Sequence, residues 1–382
     1  MKIAFIGQKG IPTKTGGVER YTENLALNMV HQGHEVFVYA RSSYNTEKLT
    51  EYQGVKIITT PSLASKNLDA ITSTFFACLD LIRRKYDIIH FQSIGPASLL
   101  WLAKIFSPRT KIVFTFHCQD YHHKKWGRFA KFYLKFGEMV GNKLADEVLT
   151  VSESLAVYAR QKYHNQAICI PSSAQISELS PANNIKKWGL EKDSYIVSIG
   201  RLIRHKGIHY LIEAYLKTNT DKKLVIVGDS AYTDDYVKEL HELAAGKNNI
   251  IFTGNQTGDT LKELFSNATI FVQPSESEGL SFALIEAMSY ARPCLVSDID
   301  SNREALGGTG IFFKDKDVVD LTNKLQSMLD HPELLTQIGA AELERVKNEY
   351  DAIKITNKVL DLYKKTLNKP KNFKKLATVS GE

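Results

Sequence analysis

The sequence has no apolar run approaching the roughly 18 to 20 residues that a helix needs to cross a bilayer. Its opening, Met1-Lys2-Ile3-Ala4-Phe5-Ile6-Gly7, breaks too early for a signal peptide. The expectation is a cytoplasmic protein. Cysteine is scarce: Cys78, Cys118, Cys169 and Cys294 are scattered without C-x-x-C or metal-ligand spacing, so neither a disulfide framework nor a zinc site is indicated. With only 10 prolines among 382 residues and no glycine repeat, collagenous and low-complexity classes are excluded. What is present is the composition of a folded chain, 43% hydrophobic and 24% charged, too long for one core and suited to two domains.

The net charge of +7 is unevenly placed. Residues 1–170 carry 22 Lys+Arg against 13 Asp+Glu, residues 171–350 carry 19 against 26, and residues 351–382 carry 8 against 3. A basic first half and a basic tail suit an anionic surface, a membrane face or nucleic acid, unless this charge is simply solvated.

Short apolar runs alternate with helical patterns. Runs at Lys2–Ile6, Glu35–Tyr39, Val55–Thr59, Ile88–Phe91 and Lys111–Phe116 are followed by a second series at Tyr195–Ile199, Lys223–Val227, Ile250–Thr253, Ile270–Gln273 and Cys294–Ser297. This rhythm predicts two Rossmann-like α/β halves, each a parallel sheet covered on both faces, with strand-end loops facing a cleft. The predicted organisation is a first domain over 1–175, a linker over 176–189, a second domain over 190–350, a helix over 351–369 packing back on the first domain, and a basic tail over 370–382. Ile353, Leu360, Tyr363 and Leu367 are expected to form that helix's apolar stripe.

Chemistry is expected in the loops. The first loop, from Gly7 to Glu19, does not spell G-x-G-x-x-G, which argues against a dinucleotide dehydrogenase. Gly16 and Gly17, just before a helix, would let backbone amides approach an anion. Gly200-Arg201-Leu202-Ile203-Arg204-His205-Lys206-Gly207 presents cations at a strand end, suiting two adjacent phosphates. Glu278 follows another strand, Gly279-Leu280-Ser281 offers amides at a helix start, and Glu286 falls about two turns into that helix. Carboxylates accept hydrogen bonds from sugar hydroxyls while amides hold phosphate. A nucleotide sugar needs both.

Glu278 to Glu286 resembles the E-x7-E motif of retaining GT-B glycosyltransferases of the family 4 type, and Gly200-Arg201 with Lys206-Gly207 resembles that family's phosphate-binding loop. The Gly16-Gly17 loop, Thr115-Phe116-His117, Val151-Ser152-Glu153 and Pro293–Asp298 are similar as well, so the likeness runs in order over about residues 1–365. It implies that Arg201 and Lys206 hold the donor diphosphate, Glu278 contacts the transferred sugar and Glu286 the ribose. It further implies that His117 approaches the sugar from the first domain and that Gly254-Asn255-Gln256 lies near the base. The chain departs from the family pattern at Ile170-Pro171-Ser172-Ser173, at Cys118 after His117, and at Ser281.

The expected activity is therefore transfer of a sugar from a nucleotide diphosphate donor to a saccharide or lipid-linked acceptor in cell-surface glycan synthesis, without metal or other cofactor. Asp298-Ile299-Asp300 spells the D-x-D of metal-dependent enzymes, but that triplet is short and frequent by chance, and His122-His123 could suggest a metal but lack partners at ligand spacing. Alternatives are a nucleotide-sugar epimerase or sugar phosphorylase on the same fold, or a basic nucleic-acid-binding protein, for which no recognition motif is found. The segment Tyr121–Lys143 is read as a helix with Trp126, Phe129, Tyr133, Phe136 and Val140 on one face and Lys124, Arg128, Lys131 and Lys135 on the other. Either the aromatic stripe packs on the sheet, or the helix and the basic tail attach the protein peripherally to an anionic membrane.

Overall fold

A computed structural model describes residues 1–14, 16–65, 68–122, 127–176, 178–231 and 233–370. They form two compact units, one of Met1–Ser172 with the segment from Ala352 onward, the other of Ser173–Asp351. Unit 1 contains strands β1 (Lys2–Ile6), β2 (Glu35–Arg41), β3 (Glu51–Tyr52), β4 (Val55–Thr60), β5 (Ile88–Gln92), β6 (Lys111–Phe116), β7 (Glu147–Thr150) and β8 (Ile168–Cys169). Its helices are α1 (Gly17–His31), α2 (Asp69–Asp80), α3 (Ile94–Ala97), α4 (Leu100–Phe106), α5 (Arg128–Leu144) and α6 (Glu153–Tyr163). Unit 2 contains strands β9 (Tyr195–Ile199), β10 (Lys223–Val227), β11 (Ile250–Gly254), β12 (Ile270–Gln273), β13 (Cys294–Ser297) and β14 (Ile311–Phe313). Its helices are α7 (Ile208–Tyr215), α8 (Asp234–Leu243), α9 (Gly258–Ser266), α10 (Phe282–Ser289), α11 (Asp300–Leu306), α12 (Val318–Asp330) and α13 (Pro332–Arg345). Helix α14 (Ala352–Asn368) returns to unit 1.

The sheet of unit 1 runs β3-β4-β2-β1-β5-β6-β7-β8, parallel except for the β3–β4 pair. That of unit 2 runs β11-β10-β9-β12-β13-β14 and is parallel throughout. Every residue of β5 and β6 is buried, as continuous apolar strands covered on both faces should be. In unit 2 the period-2 alternation of a strand divides one core into two. Tyr195, Val197, Val225 and Val227 enter one apolar cluster, whereas Ile196, Leu224 and Ile226 enter the other. The polar stretch before β9 belongs to unit 2 because Glu263 of α9 gathers it: its Oε2 accepts the backbone N–H groups of Asn183, Asn184 and Ile185 at 2.9, 2.6 and 3.3 Å.

Two helix faces differ from the sequence expectation. In α14 the buried residues include Ile355, Val359, Leu360, Leu362, Tyr363 and Thr366, while Ile353 and Leu367 are exposed. At 100° per residue, Ile353 lies almost opposite Ile355. In α5 the inward face is Leu134, Gly137, Glu138, Val140, Gly141 and Leu144; among the described members of the expected stripe, Val140 is buried and Tyr133 half-buried with its hydroxyl against that of Ser98, but Phe129 is 83% exposed and Phe136 37%, as is Phe132, outside that stripe, at 70%. Glycine sets this register. A Cβ on Gly137 would lie 1.9 Å from the Ile94 carbonyl oxygen and one on Gly141 2.6 Å from the Phe114 ring, so only this face can press against α3 and β6. Trp126, Lys124, His123 and residues 371–382 lie outside the described residues.

Helix α13 fully buries Glu342, whose Oε1 accepts the Cys294 N–H at 3.1 Å while Oε2 has no donor among the described residues. Burial raises this carboxyl from 4.5 to about 8. Between those values the folded chain keeps a proton that the unfolded chain has released, so stability falls as pH rises through this window and levels off above it. Glu342→Gln is expected to flatten the decline of Tm between pH 5 and 8, by about 5 °C for each one to two kcal/mol relieved. A variant with the wild-type slope in thermal unfolding refutes this.

Candidate functional site

In an open parallel sheet, ligands bind outside the carboxyl ends of the strands, where neighbouring crossovers leave in opposite directions. The strand orders place this switch point between β1 and β5 in unit 1 and between β9 and β12 in unit 2. The loops after β9 and β12 are two of those that the sequence singled out.

In unit 2 the loop from Gly200 to Gly207 ends in a tight turn with Gly207 at φ +68°. A Cβ there would stand 1.9 Å from the Pro274 carbonyl oxygen, so glycine alone lets the two loops touch. The Glu276 N–H donates to the His205 carbonyl at 2.8 Å, and Lys206 Nζ meets Glu278 Oε1 at 2.5 Å, with both side chains mostly buried. The three cationic side chains of the loop therefore diverge. Lys206 is held at the switch point, and Arg204 turns away to pair with Glu239 of α8 and stack on Tyr236. Arg201 is exposed and has no ion-pair partner among the described residues. Beyond Glu278 and Gly279-Leu280, Ser281 caps α10, its hydroxyl oxygen accepting the Leu284 N–H at 3.4 Å. Because α10 begins at Phe282, Glu286 sits just over one turn inside it, closer to its start than the sequence reading placed it.

Behind this loop lies a buried polar lattice. The Ser281 hydroxyl donates to Gln273 Oε1, Gln273 Nε2 donates to Asn302 Oδ1 at 2.9 Å, and Asn302 Nδ2 donates to the Ser297 carbonyl at 2.9 Å. These residues orient the loop and were not anticipated. Their signal was a polar residue ending an apolar strand, Ile-Phe-Val-Gln in β12. Glu276 was also missed: it accepts from the Tyr210 hydroxyl at 3.1 Å and pairs with Lys316 at 3.3 Å. Gly254-Asn255-Gln256 lies at the end of β11, two strands from β9, with Gln256 Nε2 donating to the Thr253 carbonyl at 2.6 Å. Asp298 of the D-x-D triplet gives both carboxylate oxygens to Arg303.

In unit 1, Gly16 caps α1 at φ +103° and Gly17 opens the helix, directly after the switch-point strand β1. Two glutamates of α1 fasten the preceding loop: Glu19 accepts the Lys9 N–H at 2.9 Å and Glu23 the Thr13 N–H at 3.0 Å. His117 follows β6 and is nearly buried, its Nε2 2.7 Å from Gln92 Oε1 and its ring edge-on to Tyr21 at 5.0 Å. Burial lowers its pKa to about 3, so the imidazole is neutral at physiological pH. Gln92, the last residue of β5, is the unit 1 group that the sequence reading missed.

Two Rossmann-like units, each an open parallel sheet with its own switch point, are the architecture of GT-B transferases. The sequence matches the family described as Glycosyltransferase Family 4 over residues 15–171 and Glycosyl transferases group 1 over residues 181–345. The chain belongs to these glycosyltransferases. An uncharacterised glycosyltransferase of Methanocaldococcus jannaschii is 26% identical over 80% of this chain and 83% of its own length. The UDP-Gal:alpha-D-GlcNAc-diphosphoundecaprenol alpha-1,3-galactosyltransferase of Escherichia coli is 25% identical over 74% of this chain and 76% of its own. Among solved structures, Anabaena HepE in complex with UDP-glucose superposes with a TM-score of 0.79 at 18% identity, covering 96% of this chain and all of that one.

The Gly207 contact makes a specific expectation. Gly207→Ala should destabilise unit 2 by about 2 kcal/mol or more, because backbone faces the new methyl group. Gly200→Ala, whose Cβ would meet only the Lys206 side chain at 3.9 Å, should unfold like wild type. Equal Tm values for the two variants would show that the loop approach is wrong.

Proposed function

We propose that this enzyme transfers a sugar from a nucleotide diphosphate donor held by unit 2 to a hydroxyl of a saccharide or lipid-linked acceptor held by unit 1, with retention of configuration and without a metal. The observation that carries this reading is the Lys206–Glu278 contact at the switch point, beside the exposed Arg201. Cation and carboxylate there suit the two halves of one ligand: phosphate oxygens need the charge of Lys206 and Arg201, and sugar hydroxyls need an acceptor such as Glu278. Glu286, in the first turns of α10, is the proposed ribose contact, and Gly254-Asn255-Gln256 the base contact. The Gly16-Gly17 loop and the amides of Gly279, Leu280 and Ser281 are proposed to face the phosphates. UDP-sugar donors are supported by the UDP-Gal in the name of the Escherichia coli relative and by the UDP-glucose bound in the Anabaena structure.

In the proposed reaction the acceptor oxygen bonds to the anomeric carbon on the face from which the donor phosphate departs. The bond from that carbon to the phosphate oxygen breaks, and the acceptor proton passes to the departing phosphate. Charge grows on that phosphate in the transition state, which is where fixed cations contribute most. His117, neutral and nearly buried, can take part as a hydrogen-bonding group but not as an acid. A panel of nucleotide sugars assayed in EDTA tests the proposal. Turnover should persist, and Arg201→Ala or Glu278→Ala should each raise the barrier by roughly 2 to 4 kcal/mol. Loss of turnover on chelation with recovery in Mn²⁺ or Mg²⁺, or near wild-type rates in both variants, would overturn it.

The exposed side of α5 supports a second element of the reading, peripheral attachment to an anionic membrane. No described helix is long and apolar enough to cross a bilayer. Phe129, Phe132 and Phe136 stand outward beside Arg128, Lys131 and Lys135, and the neighbouring α4 exposes Trp101 and Ile105. Outward aromatics next to cations suit an interface of acyl chains and anionic headgroups, each near-surface cation adding on the order of 1 kcal/mol. A lipid-linked acceptor would then be met at the membrane. Wild type should co-sediment with anionic but not neutral vesicles, less so at high salt. Phe129→Ser with Phe132→Ser, and separately Arg128, Lys131 and Lys135 changed to Gln, should each weaken binding. Absence of wild-type binding removes the membrane from the reading and favours a soluble acceptor.

A further inference from the structure

The two switch points share a feature. In each unit the second flanking strand ends in a buried glutamine, Gln92 in β5 and Gln273 in β12. Gln273 has partners at both ends of its amide, the Ser281 hydroxyl at Oε1 and Asn302 Oδ1 at Nε2. Gln92 does not. Its Oε1 faces His117 Nε2 at 2.7 Å, but its amide nitrogen finds no acceptor among the described residues, although the side chain is completely buried. On the other flanking strand's loop, Gln8 is 2% exposed and its Oε1 likewise has no donor among the described residues. Buried amides are rarely left so without a reason, and a binding site is one such reason. The two loops are also pressed together here, since a Cβ on Gly7 would stand 2.5 Å from the Gln92 carbonyl oxygen.

We infer that Gln92 is a positioning residue that holds the His117 imidazole as the Nε2–H tautomer, leaving Nδ1 to accept a hydrogen bond from a hydroxyl of the saccharide substrate. The inference rests on the glycosyl-transfer reading for its ligand, and on the geometry alone for the tautomer. An amide oxygen can only accept, so the ring nitrogen facing it must carry the hydrogen. A neutral imidazole has one N–H, so the other nitrogen presents a lone pair. Nδ1 has no partner among the described residues. Such a lone pair attracts a hydroxyl and repels a phosphate or carboxylate oxygen, so His117 is set to read sugar, while the cations of unit 2 read phosphate. The titratable groups around His117 do not disturb this assignment: Tyr21 of α1 meets the ring edge-on, and His90, two residues before Gln92, is itself held neutral by burial.

Two measurements on the full chain test the inference. In ¹⁵N NMR, with the His117 signals identified by their absence in His117→Phe, wild type should show the Nε2–H tautomer near neutral pH. Gln92→Leu should give a tautomer mixture, and Gln92→Glu, which keeps an acceptor oxygen, should retain Nε2–H. In kinetics with the donor selected by the nucleotide-sugar panel, Gln92→Leu should lower kcat/KM roughly tenfold to a hundredfold while the affinity for free UDP stays unchanged. Gln92→Glu should recover part of the loss. An Nδ1–H tautomer or an imidazolium in wild type overturns the inference whether or not any variant folds. So does Gln92→Leu with wild-type tautomer and turnover. A loss in Gln92→Leu matched by an equal loss of UDP affinity would mark general damage and count against a positioning role. If wild type turns over no nucleotide sugar, the glycosyl-transfer reading fails and takes the sugar ligand with it, and the NMR result alone decides whether Gln92 holds the tautomer.

Discussion

Parallel strands must be joined by crossovers, and a right-handed crossover can leave a strand toward either side of the sheet. Where two neighbouring crossovers leave in opposite directions, their loops part and backbone ends, helix starts and strand-end side chains stay uncovered. This constraint organises the present chain twice, between β1 and β5 and again between β9 and β12. In unit 2 the parted loops are drawn back into contact through Gly207, the Glu276–His205 backbone bond and the Lys206–Glu278 pair. The ion pair thus lies where two loops from distant parts of the sequence are forced together.

Four buried carboxylates of this molecule are held by backbone. Glu19, Glu23, Glu263 and Glu342 each accept backbone N–H groups, the first two from the loop after β1, the third from the stretch before β9 and the last from the start of β13. Such bonds fasten irregular backbone that would otherwise bury unpaired donors, so these glutamates are scaffolding. Glu278 instead faces an ammonium group at a strand end. A carboxylate paired with a mobile cation can exchange that partner for a ligand, whereas one satisfied by backbone cannot do so without unfastening a loop. The same distinction separates the satisfied Gln273 from Gln92.

Helix α5 shows how packing can overrule a hydrophobic stripe. Burying Phe129, Phe132 and Phe136 would remove a large apolar area from water, yet Gly137 and Gly141 occupy the inward face because α3 and β6 leave no room for a side chain there. Overlap with backbone cannot be relieved by a rotamer change, so the close approach decides the register and the aromatics are left for another environment.

Residue pattern alone determined the α/β class, the two repeating halves, the central strands of both sheets and the candidate loops, while the short strands β3, β7, β8 and β14 were not read. Those features are local: apolar runs, glycines before helices, cations and carboxylates at strand ends. Spacing along single stretches of chain also singled out Arg201, Lys206, Glu278 and Glu286 as candidates, three at strand ends and one in the first turns of a helix. Tertiary structure decided what depends on distance between stretches. It separated Lys206, joined to Glu278, from Arg204, drawn off by Glu239. It left Phe129, Phe132 and Phe136 of α5 outward while burying Val140 of the expected stripe, and rotated the buried stripe of α14 onto Ile355, Val359 and Leu362. It also brought Gln92 to His117, 25 residues away in sequence, because only the pairing of β5 with β6 sets those strand ends side by side. Which side chains share a site follows from strand order, and strand order is a property of the folded sheet that no single segment encodes.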